Sequence, residues 1–302
     1  MAGTANSHRT IYVALGANFA IFLAKGGAAV LTGSGAMLAE AVHSLADCGN
    51  QLLLLFGMRS SRATASPDHP LGAGKAVYFW SFLVAMLLFS VGGMFSAYEG
   101  WHKLRDPEPL AWPWVAVGVL AFGILMEGFS MRTCLREVGK VRAGRSLWRW
   151  FRESRSSELI VIFGEDLAAL LGLLFALFAI VLTVFTANPL FDALGTIAIG
   201  VLLIVVAIFI AIEVKALLIG QGVDPHVKEA MLAFLGARSE IRRVFNLITL
   251  QLGADVMVAV KAEIEPSRAD GELVARINAV ERDLKAAFPD IRWCFFEPDV
   301  ED

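Results

Sequence analysis

The stretch SELIVIFGEDLAALLGLLFALFAIVLTVF, residues 157–185, decides the class of fold. It is longer than the roughly 20 apolar residues that cross the hydrocarbon core of a bilayer as a helix. Its only ionisable side chains are Glu158, near the start, and the adjacent pair Glu165 and Asp166. Charged groups at membrane depth are costly and usually face the interior of a helix bundle. The stretch therefore predicts a membrane-spanning helix with an acidic inner face.

Further apolar stretches of similar length predict a polytopic α-helical membrane protein with six transmembrane helices. Hydrophobic residues make up 57% of the chain, charged residues only 18%, and the mean hydropathy is +0.63. Soluble domains are nearer about 45–50% apolar. The net charge of −3 and the lack of a basic stripe argue against a nucleic-acid partner. The predicted spans are about 10–32, 36–58, 77–100, 110–132, 157–185 and 190–214.

The composition changes near residue 215, and this divides the chain into a predicted membrane domain, 1–214, and a soluble domain, 215–302. Amphipathic helices are predicted at 224–237 and 272–288 from their apolar spacing. Strands are predicted at 248–252, 256–263 and 291–297. The expected order, α-β-β-α-β, makes a small α+β domain.

Lysine and arginine residues in the loops predict the orientation, because cytoplasmic loops carry the excess of both. The connection 132–155 and the loop after the second predicted span are basic, whereas the 186–192 turn has neither residue. Both termini and the domain 215–302 should therefore be cytoplasmic. Small size and short loops favour a bacterial inner membrane.

The sequence gives no sign of an enzyme or of a bound cofactor. Its cysteines, Cys48, Cys134 and Cys294, form no CxxC pair, which argues against a disulfide framework or a thiolate metal cluster. No GxSxG or HExxH motif occurs.

The second predicted span carries a candidate metal site. His43 and Asp47 are spaced i, i+4 and so share one helical face. An imidazole nitrogen and a carboxylate oxygen at that spacing can bind one metal ion, and such ligands suit Zn²⁺ and its first-row neighbours. Asp166 could supply a third ligand from another span. A lone histidine in a helix is more often a structural residue, but the two carboxylates favour ligation here.

Other ionisable residues in the spans leave alternatives open. Glu40 could be a ligand, but it lies nearer the outer end of the span, which favours a role in proton or ion entry or a helix-packing hydrogen bond. Lys25 either neutralises an interior carboxylate or extends to the membrane interface. Glu127 and Glu99 lie near predicted span ends, and we expect them to reach the interface.

Several stretches resemble the cation diffusion facilitator family over essentially the whole chain. GSGAMLAEAVHSLADCGNQLLLLFGMRSS (33–61) and DHPLGAGKAVYF (68–79) resemble its second and third spans. GEDLAALLG (164–172) resembles its fifth span, and GQGVDPHVKEAM (220–231) resembles the start of its cytosolic domain. The combination of HSLAD with HPLGAGK is specific.

The resemblance implies a homodimer in the membrane that exports a divalent metal ion, Zn²⁺ foremost, in exchange for protons. The family's metal-binding pair on span two corresponds to His43 and Asp47, and its span-five aspartate corresponds to Asp166. Ile162 stands where the family usually has a second span-five ligand, and it cannot bind metal. The fourth ligand could be Glu165, Asn50 or water. One branch of the family carries such an adjacent Glu-Asp pair.

The resemblance also suggests metal sites outside the spans. Asp68 and His69 are the only candidates for the family's loop site, and a helix-start or turn role is the alternative. In the domain 215–302, His226 is the only histidine, and Gln251 stands where the family often has another. We therefore expect this domain to dimerise and to bind metal weakly or not at all. A metal-gated channel or a non-transporting scaffold is the rival function.

The orientation can be tested by labelling single cysteines in intact cells with a membrane-impermeant maleimide. Ser146→Cys and Glu229→Cys should stay unlabelled, because the basic loops place both inside. Asn188→Cys, in the loop on the opposite side, should react and serves as the control. Labelling of the first two variants from outside would contradict the orientation.

Overall fold

The computed structural model describes residues 3–266 and 271–301, with side chains described from Asn18 onward. Long helices dominate up to Gly236, and a three-stranded sheet with one further helix follows. The elements are α1 (Gly3–Thr32), α2 (Gly35–Ser61), α3 (Ala76–Leu87), a π-helical segment (Leu88–Met94), α4 (Phe95–Arg105), α5 (Pro113–Val141), α6 (Leu147–Glu153), α7 (Ser157–Thr186), α8 (Leu190–Gly220), α9 (Pro225–Gly236), β1 (Ile241–Leu252), β2 (Asp255–Ile264), α10 (Glu272–Ala287) and β3 (Ile291–Pro298).

The chain is a helical membrane-type protein. Within the described residues, four helical stretches are long and apolar enough to cross a bilayer: Ala76–Arg105, Pro113–Val141, Ser157–Thr186 and Leu190–Gly236. A shorter apolar helix covers Asn18–Thr32. The polar side chains that α2 carries lower its hydropathy.

Helix α5 is longer than predicted. The predicted fourth span ended at 132, but α5 continues to Val141, and part of the expected loop forms α6. Basic side chains near the C-terminal end of a helix interact favourably with its dipole, which supports the extra turns. Glu127, expected near a span end, therefore lies in the middle of α5.

Two compact units make up the chain. Unit 1 comprises residues 1–57, 80–146 and 158–214, and unit 2 comprises residues 58–79, 147–157 and 215–302.

Glycines bring the helices of unit 1 close together. A Cβ on Gly93 would lie 2.6 Å from Ile204 Cγ1, and a Cβ on Gly200 would lie 2.5 Å from the Ala97 backbone nitrogen. Small residues of this kind let membrane helices approach closely. The π-helical segment thus packs directly against α8.

The N-terminus of α2 is fixed by a carboxylate from α8. Ser34 Oγ donates to Asp192 Oδ1 at 2.5 Å, and the Gly35 N–H donates to Asp192 Oδ2 at 2.7 Å. Asp192 is buried. An anion at this position satisfies free N–H groups and the helix dipole together. The polar residues further along α2 are therefore held in a defined position.

The C-terminal domain in unit 2 is a small three-stranded sheet packed on two helices. β1 pairs with β2 antiparallel, and β2 pairs with β3 parallel. Strand β1 begins already at Ile241, ahead of the predicted start at 248. Alternate residues of β2 are buried against α9 and α10, as the period-two pattern predicts. The main core residues are Met231, Leu235, Val256, Val258, Val260, Ala262, Val280 and Leu284.

Within unit 2, the β1–β2 turn contacts the end of the α2–α3 connection and the first turn of α3. The Gly253 N–H donates to Tyr78 Oη at 2.9 Å, and Tyr78 is fully buried. Gly253 has φ +70°, a conformation that favours glycine. A Cβ on Gly74 would collide with the Leu252 carbonyl oxygen, so glycine is required at that position too.

Gly74→Ala should destabilise unit 2, because the new methyl group meets rigid backbone. We expect a loss of about 1–3 kcal/mol, typical of overpacking. Thermal unfolding and limited proteolysis of the full chain in detergent would measure it. Gly139→Ala is the matched control, since nothing lies within 4 Å of a Cβ there. Equal stability of the two variants would contradict the docking of the turn.

Candidate metal centre

The polar residues of α2 lie on one face of the helix. Glu40, His43, Asp47 and Asn50 recur every three or four residues, so their side chains are stacked along one side. Glu40, His43 and Asn50 are buried, and Asp47 is half-buried. Leu52 is exposed on the outer surface. The face therefore points into the helix bundle.

The predicted pair His43 and Asp47 is close in space. His43 Nδ1 lies 3.7 Å from Asp47 Oδ1. His43 also adjoins the π-helical segment, since a Cβ on Gly92 would lie 3.9 Å from Nδ1. Single π-helical turns inside α-helices are frequent at functional sites. No sequence pattern predicted this π-helical segment.

The adjacent acidic residues Glu165 and Asp166 of α7 face different neighbours. Glu165 Oε1 accepts a 2.5 Å hydrogen bond from Asn50 Nδ2 on α2. Asp166 Oδ1 accepts a 3.1 Å hydrogen bond from Ser130 Oγ on α5. The difference follows from the 100° rotation between adjacent helical residues. Ile162 is 40% exposed and takes no polar contact at the site.

Buried polar atoms without a hydrogen-bond partner collect in this part of unit 1. Burying such atoms is costly unless a partner compensates, so their concentration indicates a place for a cationic ligand. Within the described residues, this group comprises Glu40 Oε1, both ring nitrogens of His43, Asp47 Oδ1, Asn50 Oδ1, Gln51 Oε1 and Asp166 Oδ2.

The ligands do not form a closed cage. Among residues 3–266 and 271–301, no three His, Cys, Asp or Glu side chains are close enough to hold a metal ion as they stand. Asp166 and Glu165 are each engaged with a neutral donor, Ser130 and Asn50. Binding of a metal ion by both helices therefore requires these side chains to turn inward.

Helix α5 contributes two residues that were not predicted from the sequence to lie at the site. Ser130 binds Asp166, and Glu127 lies close enough to interact electrostatically with His43 and Asp166. The i, i+3 spacing of Glu127 and Ser130 was the available signal. The predicted end of the span at 132 obscured it.

The candidates outside the spans do not belong to this cluster. Asp68 and His69 are exposed in unit 2, and the backbone groups of Ser66 and His69 bond to each other to close a turn. His226 is exposed at the start of α9, and its N–H donates to the capping residue Asp224. Gln251 Nε2 donates to the Gly253 carbonyl.

Residues 11–219 match the cation efflux transmembrane domain. The chain belongs to the cation efflux, or cation diffusion facilitator, family. The resemblance drawn from HSLAD and GEDLAALLG is therefore confirmed. This is a family of transporters.

Individual relatives are similar over most of the chain. A Xenopus laevis protein named proton-coupled zinc antiporter SLC30A9, mitochondrial, is 32% identical over 97% of this chain and 52% of its own length. The human protein of that name is 32% identical over 87% of this chain and 46% of its own. Metal tolerance protein C4 of Arabidopsis thaliana is 30% identical over 86% and 57%. The chain spans about half the length of these relatives. The mitochondrial names give no support to the predicted bacterial inner membrane.

Glu165→Gln tests whether the α7 residue that faces α2 binds metal. Glutamine still accepts the hydrogen bond from Asn50, so only the charge is lost. If Glu165 is a ligand, Zn²⁺ affinity in calorimetry should fall by about tenfold or more, as for Asp166→Asn. Glu137→Gln, exposed on α5, is the control. A change of only a few-fold in Glu165→Gln, beside a large loss in Asp166→Asn, would leave Glu165 with a packing role only.

Proposed function

We propose that this chain is a carrier that exports a divalent metal ion, Zn²⁺ foremost, in exchange for protons. The observation that carries the proposal is the group of buried, unpartnered polar atoms on α2 and α7. Family membership and the names of the zinc antiporter relatives favour the same function.

His43, Asp47 and Asp166 bind the transported ion, and Glu165 is the favoured fourth ligand. Mixed nitrogen and oxygen ligation suits Zn²⁺, whereas Mn²⁺ depends less on imidazole. Asn50 supports the site by orienting Glu165 toward α2. The metal ion is cargo, and no resident cofactor is involved.

Proton coupling follows from the chemistry of these ligands. A bound metal ion requires a neutral imidazole and ionised carboxylates, so loading releases protons. When the site opens to the more acidic side, protons compete with the metal for the same atoms and promote its release. Alternating access of one site therefore performs both binding and exchange.

The proposed architecture has six spans: α1, α2, the continuous stretch α3 to α4, α5, α7 and α8. Residues 1–214 form the transport domain in the lipid, and residues 215–302 form the cytosolic α-β-β-α-β domain. Both termini are cytoplasmic, in keeping with the basic residues of 132–155. The cytosolic domain joins two protomers, and the exposed Ile248 and Phe295 on its sheet favour such a contact. Exposed His226 is its only histidine, which favours weak metal binding or none.

Flux into proteoliposomes tests this function. Asp47→Asn and Asp166→Asn should abolish Zn²⁺ uptake, because each change keeps the shape and removes an anionic ligand. His43→Ala should reduce Zn²⁺ transport more than Mn²⁺ transport. Asp106→Asn, in an exposed loop, is the matched control and should transport like the parent.

The same assay separates a carrier from a channel or a scaffold. A carrier shows saturable uptake that depends on a pH gradient, whereas a channel conducts without either property. Near-normal uptake by both Asp47→Asn and Asp166→Asn would remove the proposed site.

A further inference from the structure

A buried ion pair joins α1 to α2 beside the candidate site. Lys25 Nζ lies 3.0 Å from Glu40 Oε2 and 2.9 Å from Ser44 Oγ. Lys25 is 1% exposed and Glu40 is 0% exposed. At 1.5 Å per residue, both lie about 8–10 Å along their helices from the α1–α2 turn. Of the two roles open to Lys25, neutralising an interior carboxylate is the one it has.

The helices around the pair leave room for it. A Cβ on Gly172 of α7 would lie 2.5 Å from Glu40 Oε1, so a larger residue would displace the carboxylate. Gly123 of α5 borders the Lys25 side chain, since a Cβ there would lie 3.8 Å from Lys25 Cε. Four helices therefore enclose these two charges.

The polar atoms of this ion pair are not all hydrogen-bonded. A buried ion pair stabilises a fold only when its remaining polar atoms are also satisfied, and an apolar pair is often at least as stable. Glu40 Oε1 is buried without a hydrogen-bond partner among the described residues. The arrangement therefore indicates a role beyond packing.

The pair acts on the metal ligands through its charge. Glu40 shares the α2 face with His43 and Asp47, and Lys25 bonds Ser44, the residue next to His43. Both Lys25 and Glu40 lie within electrostatic range of His43 and Asp47. Lys25 also acts on Glu127. Asp47 and Glu127 are thus already influenced by one fixed cation.

We propose that Lys25 is a tethered cation whose charge opposes binding of the transported metal ion at Asp47, and that Glu40 holds its ammonium group away from Asp47. The inference rests on the proposed function. Lys25 is a positioning residue, since it touches no ligand. Its charge limits the affinity of the site and so lets a divalent ion leave quickly enough for turnover.

The test is the direction of the change in affinity, measured by Zn²⁺ calorimetry in detergent and by flux in proteoliposomes. Lys25→Met should tighten Zn²⁺ binding by about tenfold or more and lower both KM and maximal flux, because the opposing charge is gone. Glu40→Gln should weaken binding by about tenfold, because the released ammonium group can approach Asp47. Lys25→Arg keeps the charge and should bind Zn²⁺ within a few-fold of the parent.

A purely structural pair gives a different pattern. Lys25→Met and Glu40→Gln would then both weaken binding and lower thermal stability, and the double variant would recover both properties. That pattern would overturn the inference. If Lys25→Met does not fold, Lys25→Gln replaces it, because glutamine can still form hydrogen bonds with Glu40 and Ser44. Lys25→Gln should also tighten Zn²⁺ binding.

Failure of this inference can be told from failure of the proposed function. If the parent binds no Zn²⁺, or Asp47→Asn binds it as the parent does, the proposed function fails and the inference with it. If the parent binds Zn²⁺, Asp47→Asn does not, and removal of the Lys25 charge fails to tighten binding, the inference alone is wrong.

Discussion

The free-energy cost of an uncompensated charge between apolar helices is the constraint on which unit 1 depends. Lys25 and Glu40 offset this cost by pairing with each other. Asp166 and Glu165 offset part of it by accepting hydrogen bonds from neutral donors on α5 and α2. These contacts set which faces of α1, α2, α5 and α7 point inward. The apolar surfaces of the helices are left for lipid and for packing.

Helix α2 links this constraint to the site. Asp192 fixes its N-terminus against α8, and close glycine contacts hold the π-helical segment against the same helix. His43 is thereby placed beside the π-helical turn and one helical turn from Asp47. The position of the candidate ligands is therefore a consequence of helix capping at the N-terminus of α2 and of small-residue packing in the adjoining π-helical segment.

Within the described residues of unit 1, the buried polar side-chain atoms that lack a hydrogen-bond partner are concentrated at the candidate site. Atoms of His43, Asp47, Asn50 and Asp166 are buried without hydrogen-bond partners, as is Glu40 Oε1, whereas the charge of Lys25 is matched by Glu40. A site that satisfied every ligand internally would have no reason to bind an ion, and one that enclosed the ion completely would not release it. In the proposed mechanism, Asp166 exchanges a neutral partner, Ser130, for the metal ion.

The sequence by itself determined the features that depend only on residues close together along the chain. Apolar length predicted the spanning helix at 157–185, and the 3.6-residue period put His43 and Asp47 on one face. Only the tertiary structure decided which helix each polar side chain contacts. Glu165 accepts a hydrogen bond from Asn50, and Lys25 pairs with Glu40 instead of extending to the membrane interface. Contacts between helices depend on their packing angle and rotation, which leave no local pattern, so the contribution of Glu127 from α5 became visible only in the folded chain.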